Sequence, residues 1–535
     1  MGRRTFLATG LGCIASDYAR GTELEASGRI EGEPTAARVG EQTLAAGGNA
    51  VDAVVAAALA AAVVAPHQCG VGGYGGHAIV ARADGSITAI DFNSAAPLAA
   101  TPNMFPTDAN GRVKDQANTV GWLAVGVPGV LAGLELTLDL CGTKPLHELL
   151  GPAIRMARNG FVVDQSLANA IRAKHAQLSR DPGSRRLYFP TGTNPAVGSR
   201  LANPELAQLL ESLAKCGTVE PFYRGAVADR ISAAIKAGGG LVTSDDLARY
   251  RARQVPPLSI TWGNTTIWTP PPTAGGLSVL QALATLQALA WQDWTPGDPR
   301  RLPAFVETLR LTWHDRLELL GDPQFAKVPS NRLLSSEYAA ASAKLVAEAL
   351  RTGRPTSGRD SGRSPRETIN LCAADRNGTF VALTFTHGEA FGAQVTVDGL
   401  GLTLGHGMTR FDPRPNHPNA PGPGKRPLHN MCPTLVVRDD RAVAALGGRG
   451  GRRIPNTLIR ILAELVGRGA HPRSAIDAPR VHTEGDRQVQ LEVGWPESDK
   501  QRLDALGYKT SRGAGAYASI VYTDPQTGQI AGMSR

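Results

Sequence analysis

Apolar and polar positions follow two regimes along this chain. Residues 53–65 read AVVAAALAAAVVA, preceded by Gly47-Gly48-Asn49 and closed by Pro66. A run apolar on every face predicts a helix over 51–65 that is buried all round. It falls short of the ~18–20 residues needed to cross a bilayer, so no membrane span is expected. Residues 77–81 and 87–92, joined by Asp84-Gly85, predict two strands and a turn. Helical patterning dominates 130–260, broken at Gly160, Pro182 and Gly238 to Gly240. It dominates 278–350 as well, with an interruption at Asp322-Pro323.

Beyond residue 352 the pattern changes. Residues 353–367 read GRPTSGRDSGRSPRE, nearly without apolar side chains. Such a stretch cannot bury enough surface to order itself, which predicts an exposed, flexible linker. Strand-like runs follow at 369–374, 380–385, 395–397, 434–437 and 442–446. The proline-rich stretch 413–427 predicts a surface loop lying over something.

Composition narrows the class. Hydrophobic residues are 42% and charged residues 19% of 535, ordinary for a soluble globular protein long enough for two or three domains or one large one. The net charge of +9 comes mainly from scattered arginines with few aromatics between them, which speaks against nucleic-acid binding. The cysteines (Cys13, Cys69, Cys141, Cys216, Cys372, Cys432) form no C-x-x-C pair, and the histidines have no ligand spacing. Neither a metal site nor a disulfide-built scaffold is expected. Gly70 to Gly75 fits G-x-G-x-x-G, but a helix precedes it and a strand follows, the reverse of a dinucleotide site, so no cofactor is expected. At the N-terminus, Arg3-Arg4 with Phe6-Leu7 have the form of a twin-arginine export signal. An ordinary basic N-terminus is the alternative, leaving localisation between cytoplasm and export.

The candidate chemistry lies where the linker meets the first strand. Asp375-Arg376-Asn377-Gly378 between two strands is a hairpin signal. A two-residue Asn-Gly turn sets Thr368 opposite His387. A three-residue Arg-Asn-Gly loop, with Gly378 left-handed, sets Thr368 opposite Thr386. Both registers remain open at this level. A lone threonine at a strand start is structural as a rule, and only its surroundings set Thr368 apart.

Those surroundings resemble the γ-glutamyltransferase (γ-glutamyl transpeptidase) family of N-terminal-nucleophile hydrolases. The resemblance runs from about residue 35 to the C-terminus. It is carried by GGNAVDA (47–53), PHQCGVGG (66–73), AVGVPG (124–129), PPPTAGG (270–276), KRPLHNMCPT (425–434) and GGRGGRRI (447–454). It implies an α/β (α+β) four-layer αββα sandwich and self-cleavage between Glu367 and Thr368. The chain would then divide into an N-terminal segment (1–34), a large subunit (35–367) and a small subunit (368–535), the subunits forming one heterodimeric unit. In that scheme the Thr368 hydroxyl attacks the preceding carbonyl. The freed α-amine, with a pKa of ~8, then serves as base to its own hydroxyl. Thr386 matches the threonine that hydrogen-bonds the nucleophile, and Gly450 and Gly451 match the oxyanion-hole glycines, whose alternative is a plain turn.

The substrate positions depart from the family pattern. Asn93 stands for the arginine that holds a glutamyl α-carboxylate, and Arg410, beside Phe411, for the aspartate that holds the α-amine. Gly388 replaces an amide side chain, and His429-Asn430 replace paired serines. An arginine repels an ammonium group, so the resemblance implies a small-molecule substrate carrying a carboxylate or keto acid without a free α-amine. Relatives with rewritten pockets include glutaryl acylases, oxamate amidohydrolases and carbon–carbon bond hydrolases of 4-alkyl-L-proline antibiotic precursors; the last is the leading specific alternative, since an oxalyl-like leaving fragment would suit Arg410. Ordinary glutathione hydrolysis and a non-catalytic scaffold complete the alternatives.

Overall fold

The computed structural model describes residues 27–356 and 367–535. The paired arginines and residues 357–366 of the expected linker lie outside them. Two six-stranded sheets occupy the centre. In chain order their strands are β1 (Gly28–Glu31), β2 (Gly75–Ala81), β3 (Ile87–Asp91), β4 (Arg253–Val255), β5 (Leu258–Trp262), β6 (Thr265–Thr269), β7 (Ile369–Asp375), β8 (Phe380–Thr386), β9 (Thr434–Arg438), β10 (Arg441–Arg449), β11 (Tyr517–Thr523) and β12 (Ile530–Ser534). The first sheet runs β1-β7-β8-β2-β3-β4 and the second β12-β11-β10-β9-β6-β5. Each sheet therefore contains strands from both sides of residue 367, and in the first β7 and β8 lie between β1 and β2. The fold already begins at β1, inside the segment 1–34 set apart above.

The sheets face each other across a seam of small and aliphatic side chains, including Ile79, Cys372, Ala382, Leu435, Ala445 and Val521. Gly447 meets Asn370 across the seam so tightly that a Cβ there would lie 2.0 Å from Asn370 Oδ1. Helices cover both outer faces. On the first sheet lie α1 (Pro34–Ala45), α2 (Ala50–Val64) and α3 (Val130–Cys141); on the second lie α4 (Gly276–Ala288) and α6 (Arg453–Leu462), with α5 (Arg301–Leu319) packed on α4. This is the four-layer αββα sandwich.

Local chemistry explains the key elements. Asn49 and Asp52 form a capping box that starts α2, and every residue of α2 except Val64 is buried. Asp375, at the end of β7, accepts the Ala50 amide at 2.9 Å. The same carboxylate holds the hairpin through the amides of Asn377 and Thr379. One side chain thus ties the second half of the chain to the first helix pair.

The proline-rich stretch differs from the surface loop expected. It is a strap sunk into the molecule, with Asn419, Lys425 and Arg426 buried. Arg426 pairs with Asp91 at 2.8 Å and donates to the Asp91 and Arg251 carbonyls. The buried pair draws the strap inward. Residues 253–260, expected to be helical, fall in β4 and β5, which a sheet edge stabilises better than their own short-range pattern.

Candidate active site

The hairpin adopts the three-residue loop: Phe385 pairs with Ile369, and Gly378 takes φ 91°. That register sets Thr368 opposite Thr386. Thr368 is only 2% exposed. Its hydroxyl donates to the Glu367 carbonyl oxygen at 2.5 Å, and the Thr386 hydroxyl donates to the same oxygen at 2.7 Å. The Thr386 oxygen in turn accepts the Gly388 amide at 2.7 Å. Gly388 has φ 105°, and a Cβ there would meet His406 Nε2 at 1.9 Å, so only glycine fits this turn. Two hydroxyl donors thus converge on the one carbonyl that precedes Thr368.

The segment 66–73 closes the other side. The Gln68 carbonyl accepts the His387 amide at 3.0 Å, and its Oε1 accepts Arg449 Nη1 at 2.7 Å. Arg449 ends β10, and Gly450 and Gly451 follow with φ 135° and 64°. Their carbonyls accept the amides of Arg453 and Ile454 at the start of α6, so the glycine pair sits at the positive end of a helix. Burial raises the pKa of the Glu367 carboxyl, partly offset by Arg449.

Behind these residues lies a floor of buried histidines. Burial lowers the pKa of His387 and of His406 to about 3, with the Arg410 charge adding at His406. Burial also lowers His67 and His77 to about 4, and holds His429 well below its ordinary value. Neutral His406 donates from Nδ1 to the Thr119 carbonyl and accepts the Glu389 amide at Nε2. Tyr74 packs against His429 with ring centroids 4.7 Å apart.

A cleft of about 380 Å³ opens beside this floor. Its wall includes Arg316, Glu389, Arg410, Phe411, Asn430 and Arg452. Glu389 directly follows Gly388, and Arg452 follows Gly451, so the cleft borders both arms of the threonine site. Of the six candidate binding residues it collects Arg410, Phe411 and Asn430. His429 is buried beneath it, and Gly388 serves Thr386. Asn93 lies elsewhere: its amide nitrogen donates to Thr273 Oγ1 at 2.8 Å and the Pro427 carbonyl at 2.6 Å. Among the described residues no group of acidic, histidine or cysteine side chains could hold a metal, and the five described cysteines are free.

The family model of gamma-glutamyltranspeptidase matches residues 36–534. The chain belongs to this family. It is 33% identical to the glutathione hydrolase proenzyme of Pseudomonas sp. (strain A14), covering 98% of this chain and 94% of that one. It is 34% identical to the Acylase ACY 1 proenzyme of Pseudomonas sp. (strain V22), over 93% of this chain and 90% of the other. Among solved structures, the cephalosporin acylase from Bacillus halodurans superposes with a TM-score of 0.85 at 28% identity, covering 95% of this chain and 94% of that one. The protein is an N-terminal-nucleophile enzyme of the hydrolase/acyltransferase kind.

Residue-by-residue reading missed several residues that border the candidate site. Gln68, Arg449 and Arg452 stand inside motifs that carried the resemblance, where their side chains gave no separate signal. Arg316 lies in α5 with no motif around it.

Proposed function

We propose that the chain cuts itself before Thr368 and then uses Thr368 as an N-terminal nucleophile to hydrolyse amides whose acyl group bears a carboxylate but no α-ammonium. The observation that carries this reading is the pair of hydroxyls on the Glu367 carbonyl. Thr368 Oγ attacks the carbonyl carbon, and charge develops on the oxygen that Thr386 already holds. The Glu367–Thr368 amide nitrogen takes a proton and leaves, giving an ester. Water then hydrolyses the ester to a Glu367 carboxylate and a free Thr368 amine. In turnover that amine takes the proton from Oγ as it attacks the substrate, and Gly450 and Gly451 offer amides to the new oxyanion. A small subunit of residues 368–535 and a large one ending at Glu367 result.

The cleft's charge supports the choice of acyl group. Its two carboxylates have cations of their own: Asp412 pairs with Arg414 at 2.7 Å, and Glu389 faces Lys174 at 3.8 Å. Four arginines line the cleft (Arg112, Arg316, Arg410 and Arg452) against those two carboxylates, a balance that suits a carboxylate better than an ammonium group. Asn93, spent on Thr273 and Pro427, offers no charge in compensation. The acylases among the relatives fit this reading better than glutathione hydrolysis does.

Two anilides that differ only in the ammonium group test it. Purified protein should run as two fragments on a denaturing gel, and Thr368→Ala should stay whole and inactive. The mature enzyme should release nitroaniline from glutaryl-p-nitroanilide faster than from γ-glutamyl-p-nitroanilide. The reverse order removes the substrate assignment. A Thr368→Ala chain that still matures removes the nucleophile.

A further inference from the structure

The geometry points to Arg316, on α5, as the residue that receives the carboxylate of the acyl group at the wall of the cleft, and so sets substrate specificity. This rests on the proposed substrate class and names the side chain that would enforce it. Arg316 is 3% exposed. Its Nη2 donates to the His429 carbonyl and to Asn430 Oδ1, the latter at 3.2 Å. Its Nη1 is buried and meets no acceptor among the described residues.

A buried guanidinium is ordinarily matched by a carboxylate, because an unpaired charge removed from water is costly. Three other deeply buried arginines follow that rule, whereas Arg480 donates to the backbone carbonyls of Ala516 and Ile476. Arg310 has Glu307 at 3.0 Å, Arg426 has Asp91 at 2.8 Å, and Arg301 has Glu464 at 3.0 Å. Arg316 has no such partner. Instead the charges of Arg452 and Arg410 bear on it and, after burial itself, help push its pKa down to about 10.

The neighbouring arginine at the glycine loop is already engaged, since Arg452 Nη1 holds Glu484 at 2.6 Å. Arg316 therefore carries a half-used fork at the cleft wall. Its used half is fixed by the 429–430 backbone and Asn430. A carboxylate accepting from Nη1, with the Asn430 amide beside it, would complete a charge-assisted contact and supply the missing counter-charge. Neutral acyl groups would leave that cost in place.

The test compares glutaryl-p-nitroanilide with valeryl-p-nitroanilide, in which a methyl group replaces the carboxylate, and measures glutarate binding by calorimetry. Arg316→Gln should lower the glutaryl-to-valeryl ratio of kcat/KM roughly ten- to a hundredfold, mainly through KM, and weaken glutarate to a similar degree. Arg316→Lys, which keeps the charge, should recover part of both. Fragment formation on a gel reports that each variant has folded; if Arg316→Gln fails to mature, the lysine variant carries the test by its raised KM for the glutaryl substrate alone. A wild-type enzyme that selects glutaryl groups, together with variants equally selective, overturns the role of Arg316. A wild-type enzyme that neither selects glutaryl over valeryl nor binds glutarate overturns the substrate class itself.

Discussion

At the scale of single residues, the site turns on which hydroxyl faces which carbonyl. Thr386 holds the Glu367 oxygen in the uncut chain and is itself held by the Gly388 amide. Losing one donor to a developing oxyanion typically costs ~3 kcal/mol. Thr386→Val should therefore slow the appearance of the two fragments roughly a hundredfold or more, followed on gels over time after synthesis. An unchanged rate would take Thr386 out of the cut. Thr368 and Thr386 were legible through the family resemblance of the motifs around them, and the hairpin left only two registers to weigh. The choice between them was not, because Asn-Gly suits a two-residue turn and a three-residue bulged loop alike. The strands that flank the hairpin, β1 and β2, lie far away in sequence. Arg316 was hidden for a different reason. Burial along α5 reaches charged residues on several faces, including Glu307, Arg310, Asp315 and Arg316, so no polar stripe marks one of them as special.

Elements were readable where the pattern was local. The all-round apolar run became α2, and the β2–β3 and β7–β8 hairpins lie where alternating runs and turn residues placed them. Strand order could not be read, since β1 pairs with β7 across more than three hundred residues. Asp375 shows how such distant elements are joined. Asp375→Ala would strand the Ala50 amide at the start of α2 and release two amides of the hairpin turn. It should cost at least about 2 kcal/mol, measured as a lower melting temperature of the mature protein. A melting temperature equal to the wild type would mean that water replaces the carboxylate at no cost.

At the scale of the whole molecule, five histidines from separate segments share one buried floor, all held neutral well below their ordinary value near 6.5. Unfolding exposes them, and below pH ~6.5 the unfolded chain binds protons that the fold refuses. Their contribution to stability is complete above that pH and drains away as pH falls towards 4. Melting temperature should drop steeply between pH 7 and pH 5; a flat profile would mean the histidines stay reachable by protons in the fold. Interleaved strands make a second expectation. The two fragments should co-elute on size exclusion and separate only in denaturant, whereas separation in plain buffer would contradict the shared sheets. The β7–β8 hairpin has a consequence for biosynthesis. Thr386 reaches the Glu367 carbonyl only after β7 and β8 have paired, so the proposed scission would follow folding of the hairpin. Under the proposed self-cleavage the broken peptide bond would be a permanent mark of successful folding, and an intact chain with Thr368 in place would be recognised as misassembled before any assay is run.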